Sequence, residues 1–432
     1  MSRLPDTTMG ELMKAEHGFA FKSEYFSDSG EFVVLTPGNF HEAGGFKARP
    51  DKDRFYDGKF SERYLLNRED LIVAMTEQGE GLLGSSALIP ESGKYLHNQR
   101  LGLVRPRKGA ADKRFLYYLF NTDYVRQQIR NTSTGAKIRH TSPERIYRVK
   151  VWAPDKETQT KIAAVLSAYD GLIENNTRRI QLQENLVAEI YREWFVRLRF
   201  PDHQKTEILK RIPSGWSFDT AAALFSLVKG KSYAGDEITE NPDHMPFISL
   251  KSFRRKGGYR EDGLKYYSGR YKDEQLVHQG DVVVAVTDMT QDRAVVGRAA
   301  RMPNFGERGA VISLDAVKLV PHSTNNIFLY AYMRHSGFAD FIKEFANGTN
   351  VLHLKPDLIT KQKIIFPPRP LQEHFASRVS PIYSQIDILG AANKNLVISR
   401  DLLLARLISG KLSVENLDIQ FPPGMAEELA AT

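Results

Sequence analysis

The chain has 432 residues, 41% of them hydrophobic, no cysteine, a net charge of +8 and a pI near 9.3. That length implies two domains rather than one core, and the mixed charge and hydrophobic fraction exclude a disordered chain. The lack of cysteine excludes a disulfide scaffold and thiolate-ligated metal, and no run of about eighteen apolar residues offers a membrane span. The N-terminal stretch MSRLPDTTMGELMKAEHGF lacks the apolar core of a signal peptide, so the expected location is the cytoplasm. A basic balance favours a polyanionic partner without proving one.

In chain order, residues 1–153 are expected to form an irregular, mainly β domain with short strands such as FVVLT and DLIVAM between Gly, Pro and Asn turns. A helical segment, FLYYLFNTDYVRQQI, follows, and then a glycine turn at Gly135 and an extended run to Pro154. From Ile162, the positions Leu166, Tyr169, Ile173, Asn176, Ile180, Gln183, Val187, Ile190 and Trp194 alternate at spacings of four and three, a heptad seam within a long helix assigned to 154–200. The stretch FPDHQKTEILKRIPSGW carries the break signals of a linker.

Residues 201–366 then repeat the first domain. With an offset of 213, Phe115 to Leu166 lies over Phe328 to Val379 without a gap, and twelve of 52 positions are identical, where chance gives roughly three. Phe115/Phe328, Tyr117/Tyr330, Gly135/Gly348, His140/His353 and Pro154/Pro367 are among them. Upstream, LLNREDLIVAMT matches LVHQGDVVVAVT at an offset of 211, a loop insertion absorbing the difference. A second long helix is expected over 367–412, with a seam of Phe375, Val379, Ile382, Ile386, Leu389, Asn393, Leu396, Arg400, Leu403 and Leu407. Pro381 should kink it and Gly410 stop it, leaving 413–432 as a mobile tail. Taken as Glu157 to Phe195 and Leu371 to Ser409, each rod is on the order of 58 Å long.

The fold class expected is therefore α+β: two similar mainly β domains related by a pseudo-twofold internal duplication and held apart by two antiparallel coiled-coil helices. An approximately twofold object suits a DNA duplex read at two half-sites, and diverged copies allow two different half-site sequences.

Base reading needs Arg, Lys, Asn, Gln or Thr on loops, with further cations on phosphates. In the first copy the candidates are Asn39, Lys47 and Arg49 around TPGNF, Thr76 and Gln78 after the matched strand, and Lys137 and Arg139 in the glycine turn. In the second they are Lys251, Arg254, Arg255 and Lys256 in LKSFRRKGGYR, Thr287, Gln291 and Arg293 in TDMTQDR, and Asn350 in the glycine turn. A solvated surface charge is the competing reading for each residue taken singly. Val33, Leu35, Ile72, Val73, Ile248, Val283 and Val284 read as core, as do Tyr117 and Tyr330, and His140 and His353 read as turn packing.

No chemistry of its own can be assembled. FPPR at Phe366 to Arg369 lacks the polar first residue of an adenine methyltransferase tetrapeptide, and no phosphate-cradling G-x-x-x-x-G-K-[S/T] occurs. DKETQTK reads as a helix N-terminus rather than a nuclease centre. Two rivals remain open at this level: a stand-alone DNA-modifying enzyme, and a duplicated coiled-coil adaptor that never touches DNA.

A variable domain, a glycine turn, an extended run to proline and a long helix, all repeated once, resembles the specificity subunits of type I restriction-modification systems. KIIFPPRPLQEHF, ENLVAEIYREWFVRLRF, RIPSGW and LLLARLISGKL carry the resemblance most sharply. The first copy departs from it, having APDKETQ where the family favours paired prolines and Glu-Gln. The resemblance implies a non-catalytic subunit whose two target-recognition domains read a split DNA sequence while the helices set the gap. It also implies two methyltransferase subunits and, in the full complex, two restriction-motor subunits as partners. S-adenosylmethionine, ATP and Mg²⁺ would belong to those partners and none to this chain.

Overall fold

The computed structural model describes residues 6–77, 81–210, 212–422 and 425. The chain packs into two compact units, residues 1–175 with 393–432 and residues 176–392.

Unit 1 holds two four-stranded sheets. The first runs in the order Met13–His17, Leu101–Pro106, Leu71–Ala74, Ser86–Leu88, all antiparallel. The second runs Phe26–Ser27, Phe55–Tyr56, Val33–Val34, Tyr95–Leu96, its last pair parallel. Unit 2 repeats this plan with Phe225–Lys229, Ala316–Pro321, Val282–Ala285, Ala299–Arg301 in one sheet. Its other sheet has five strands, with Met245–Ile248 parallel to Ala310–Ile312. The duplication read from identities is thus a duplication of topology. All seven aliphatic residues expected in the core are buried, four of them because LIVA and VVVA form central strands covered on both faces. Tyr330 joins the core of unit 2, whereas Tyr117 packs at the edge of the core of unit 1.

Helix α1 spans Lys156–Tyr191 and ends in a π turn over Arg192–Val196; helix α2 spans Arg369–Ile408. Asp155 caps α1, accepting the Thr158 N–H at 2.9 Å, which accounts for the acid-rich DKETQTK stretch. One glutamine locks each helix start. Gln159 donates to the Pro154 carbonyl at 2.8 Å and Gln372 to the Pro367 carbonyl at 2.8 Å, so the first copy keeps this contact despite lacking the paired prolines. α2 passes through Pro381 as a single helix. It stops at Gly410, whose φ of +66° lets its N–H reach the Leu407 carbonyl at 3.1 Å.

Each unit takes the start of one helix and the end of the other. Ile162 and Leu166 of α1 join Leu407 and Ile408 of α2 in the core of unit 1, and Val187 and Tyr191 of α1 join Phe375 and Val379 of α2 in that of unit 2. Within each unit the two segments therefore run antiparallel. Polar seam residues make specific cross-helix bonds: Arg400 to Asp170 at 2.7 Å and Asn393 to the Ile173 carbonyl at 3.3 Å in unit 1, and Gln183 to Gln385 at 3.0 Å in unit 2. Such pairs favour one register over its neighbours.

The linker is not loose. Phe200 is buried and packs tilted against Trp216 with ring centroids 5.8 Å apart, and Ile208–Leu209 pairs with Ile212–Pro213. In the expected tail, Val414 and Met425 are buried against the core of unit 1 with Ile419 and Phe421 beside them. Those side chains anchor the described part of the segment. Among the described residues, no helix is long and apolar enough to cross a membrane.

Candidate nucleic-acid interface

Each unit gathers three segments that are far apart in the chain. The first is a hairpin with a double-glycine turn. In unit 1 Phe40 bridges Phe46 around Gly44 and Gly45, and in unit 2 Phe253 bridges Tyr259 around Gly257 and Gly258. All four glycines have φ between +93° and +98°, a region that favours glycine. Equivalent bonds dock both hairpins: Gly45 N–H to the Ser86 carbonyl at 2.9 Å, and Gly258 N–H to the Ala299 carbonyl at 2.8 Å.

The second and third segments form a two-residue ladder. Thr76–Glu77 pairs with Arg139–His140, and Thr287–Asp288 pairs with Leu352–His353. The loop after the matched strand is thereby joined to the glycine turn in both units. Gly135 and Gly348 permit that turn because a Cβ on either would lie 1.9 Å from a backbone carbonyl oxygen, of Ile138 and Val351 respectively.

In unit 2 all three segments touch. Lys256 N–H donates to the Ala294 carbonyl at 3.2 Å, Arg255 pairs with Asp292 at 3.2 Å, and the Gln291 amide donates to the Thr349 carbonyl at 2.8 Å. In unit 1 Arg126 bridges the hairpin to the loop through the carbonyls of Glu42 and Gly81. Burial lowers the pKa of this guanidinium, with Arg130 adding to the effect.

The sequence candidates divide into two groups. Lys47, Lys137, Lys251, Arg254, Arg255, Lys256, Gln291 and Asn350 are exposed, and Arg49, Arg139 and Arg293 are half-buried. Arg293 pairs with Glu344, and the Arg49 guanidinium lies across Gly38. Asn39, Thr76 and Thr287 are buried and make internal hydrogen bonds. Asn39 accepts the Thr36 N–H at 3.0 Å, and the Thr287 hydroxyl donates to Asp315 at 2.9 Å. Gln78 lies outside the described residues. His140 and His353 close their turns through the main chain, to Thr134 and Asn347, and leave their rings exposed.

Two features escaped the sequence reading. The hairpins align at an offset of 213 as F-x-x-x-G-G followed by an aromatic and a cation, a pattern visible in FHEAGGFK and FRRKGGYR. Their tips differ sharply: His41, Glu42 and Ala43 stand where the second copy has Arg254, Arg255 and Lys256. The non-glycine Lys256 is held at φ +71°, a strained conformation of the kind that collects at functional sites. The second feature is a pair of matched carboxylates, Glu77 and Asp288, each 2% exposed. Glu77 accepts the N–H groups of Gly81, Leu82 and Leu83, and Asp288 those of Thr290, Val295 and Val296. Burial acts to raise the Asp288 pKa, but the bond from Val295 and those from Thr290 outweigh it and hold the group below the ordinary aspartate value.

No group of three or more His, Cys, Asp or Glu placed to hold a metal ion occurs among the described residues. What the surface offers is exposed cations and amides on braced loops, a duplicated recognition scaffold. Residues 5–184 match the family model described as the type I restriction modification DNA specificity domain. The chain is 26% identical to the MjaIX specificity subunit of Methanocaldococcus jannaschii over 74% of its own length and 73% of that protein. It is 20% identical to the HindI specificity subunit of Haemophilus influenzae, over 74% and 81%. Among solved structures, the type I restriction-modification S subunit from M. genitalium superposes with a TM-score of 0.57 at 16% identity, covering 93% of this chain and 95% of that one, which shows a shared fold. The resemblance to type I specificity subunits read from the sequence is borne out.

Proposed function

We propose that this chain is the DNA specificity subunit of a type I restriction-modification complex: it reads a bipartite, asymmetric site on double-stranded DNA, one half-site per unit, and scaffolds the subunits that perform the chemistry. The observation that carries this reading is the repeated three-segment surface, alike in backbone and unlike in side chains. A common backbone presents loops to the same kind of target, and unlike tips select unlike sequences. On this reading Lys47, Lys137, Arg139, Lys251, Arg254, Arg255, Lys256, Gln291, Arg293 and Asn350 face the duplex. Asn39, Thr76 and Thr287 shape the loops that carry them.

The chain itself is non-catalytic on this reading and works in the cytoplasm. S-adenosylmethionine, ATP and Mg²⁺ belong to two methyltransferase subunits and to the restriction-motor subunits. The helices offer a docking face for such partners. Leu182 and Leu186 of α1 in unit 2, at 58% and 50% exposure, and Ile398 and Leu402 of α2 in unit 1, at 50% and 64%, are one helical turn apart and uncovered.

The test is adenine-methylation sequencing of a host carrying the chain with its neighbouring methyltransferase gene. A split, asymmetric motif is the expected result, and methylation at a contiguous motif or at none refutes the reading. Label transfer from S-adenosylmethionine to DNA by the chain alone would overturn its non-catalytic part. Duplex affinity should fall steeply with salt as phosphate contacts release counterions. Weak, salt-insensitive binding with and without partners would favour a protein adaptor.

A further inference from the structure

The matched carboxylates sit where DNA-binding logic would forbid them. A buried anion beside a surface meant for phosphates repels the ligand unless it does something no neutral group can. Both carboxylates close a loop on the same two donors. Glu77 Oε2 accepts from Leu82 N–H at 3.0 Å and Leu83 N–H at 2.8 Å; Asp288 Oδ2 accepts from Val295 N–H at 2.7 Å and Val296 N–H at 3.1 Å. In each case the second donor immediately precedes a left-handed glycine, Gly84 at φ +80° or Gly297 at φ +78°. The frame is therefore shared by the two units, and the offset of 211 before the loop becomes 213 after it. All of the length change falls inside the closed segment. The copy with the shorter loop uses the longer side chain.

In unit 2 the segment is fully described. Asp288 Oδ1 also accepts the Thr290 N–H at 3.0 Å and the Thr290 hydroxyl at 2.7 Å, so both oxygens are used and no donor is needed from the side chain. An acceptor-only group with about four lone-pair sites fits this set, whereas an amide in either orientation would turn its NH₂ against at least one backbone N–H. With the loop's base so held, Met289, at 68% exposure, and the exposed Gln291 project from it. Gln291 is steadied by its bond to the Thr349 carbonyl in the glycine turn.

We propose that Asp288 is the positioning residue of a base-reading loop, Met289–Ala294, and that the Asp288 and Glu77 clamps let loops of different length and content occupy one frame. This rests on the DNA-reading function above and assigns one of its specificity determinants. The orientation a base edge demands is strict, so a loosened loop should lose discrimination before it loses affinity.

The experiment compares the complete complex, this chain with its methyltransferase subunits, as wild type, Asp288→Asn and Gln291→Ala. Adenine-methylation sequencing and mismatch-containing duplexes are the readouts. In the wild type, a single mismatch should lower methylation by about fivefold to more than a hundredfold in either half-site. In Asp288→Asn that penalty should fall to about twofold or less in one half-site and stay unchanged in the other, a split that general destabilisation cannot produce. An Asp288→Asn complex with the full motif intact, or with methylation lowered evenly at all sites, overturns the proposal. If Asp288→Asn does not fold, Gln291→Ala decides: relaxation of one half-site supports the loop as reader, and an unchanged motif overturns it. Failure of the wild type to methylate any split motif sinks the DNA-reading function itself, which is a different outcome.

Discussion

Lowering the pH from 7 to 5 should destabilise unit 1 through His97 by about 2 kcal/mol. His97 is 1% exposed, and Nε2 lies 2.9 Å from the Leu101 carbonyl, so the ring is a neutral donor there. Burial pulls its pKa down to about 4, against the opposing effect of that carbonyl and of Asp70. An unfolded histidine titrates near 6.5, so between pH 6.5 and 4 the unfolded chain binds a proton that the folded chain refuses. Stability is therefore complete above pH 6.5 and falls as the pH drops toward 4. At pH 5 the unfolded ring is almost fully protonated and the folded one about a tenth so, which amounts to roughly 1.4 pH units of linkage, or about 2 kcal/mol. For a unit of this size that is about 4–8 °C in Tm. Of the three tryptophans only Trp152 lies in unit 1, so fluorescence in a W194F/W216F background follows this unit. His97→Gln retains a donor for Leu101 without the titration. The Tm gap between that background and the same background carrying His97→Gln should narrow by those 4–8 °C between pH 7 and 5. An unchanged gap would refute the assignment of a buried neutral ring.

Further outcomes follow from the turns and the helices. Gly348→Ala places a Cβ 1.9 Å from the Val351 carbonyl oxygen at φ +149°, so the glycine turn should leave its ladder and duplex affinity of the complex should fall by about tenfold or more. Gly93→Ala, at φ +78° with nothing within 4 Å, should cost about 1 kcal/mol in urea unfolding and leave binding unchanged. Arg400 reaches Asp170 at 2.7 Å, and the Tyr118 hydroxyl donates to the same carboxylate at 2.6 Å. A double-mutant cycle of Arg400→Met and Asp170→Asn should give a coupling of about 1–2 kcal/mol in the unfolding of unit 1, and a value near zero would mean the pair is merely solvated. Removing one heptad from both α1 and α2 shortens each by about 10 Å. Methylation sequencing should then show a changed gap between half-sites with the half-site sequences retained.

Much of the architecture was open to inspection in the residues alone, for reasons that differ by element. The duplication showed because turns and helix starts constrain side chains strictly: Gly135 and Gly348 admit no Cβ, and Gln159 and Gln372 satisfy the same carbonyl. The helices showed through their seams to within a few residues. The site was only half legible. Asn39, Thr76 and Thr287 have the chemistry of base readers, but side-chain type does not say whether an amide or hydroxyl faces a groove or a partner within the fold. The carboxylates Glu77 and Asp288 were passed over because an acid on a basic surface looks like a solvated charge until its N–H partners are seen.

Periodicity, turn chemistry and repeated spacing are local properties, and from them this chain determined its two mainly β domains, its two long helices and the segments that vary between copies. Which segments meet was decided by tertiary structure. The pairing of Thr76 with His140 and of Thr287 with His353, and the sharing of each helix between both units, close loops of many residues. Such closures are stabilised by burial in the assembled core rather than by any preference of the residues that meet.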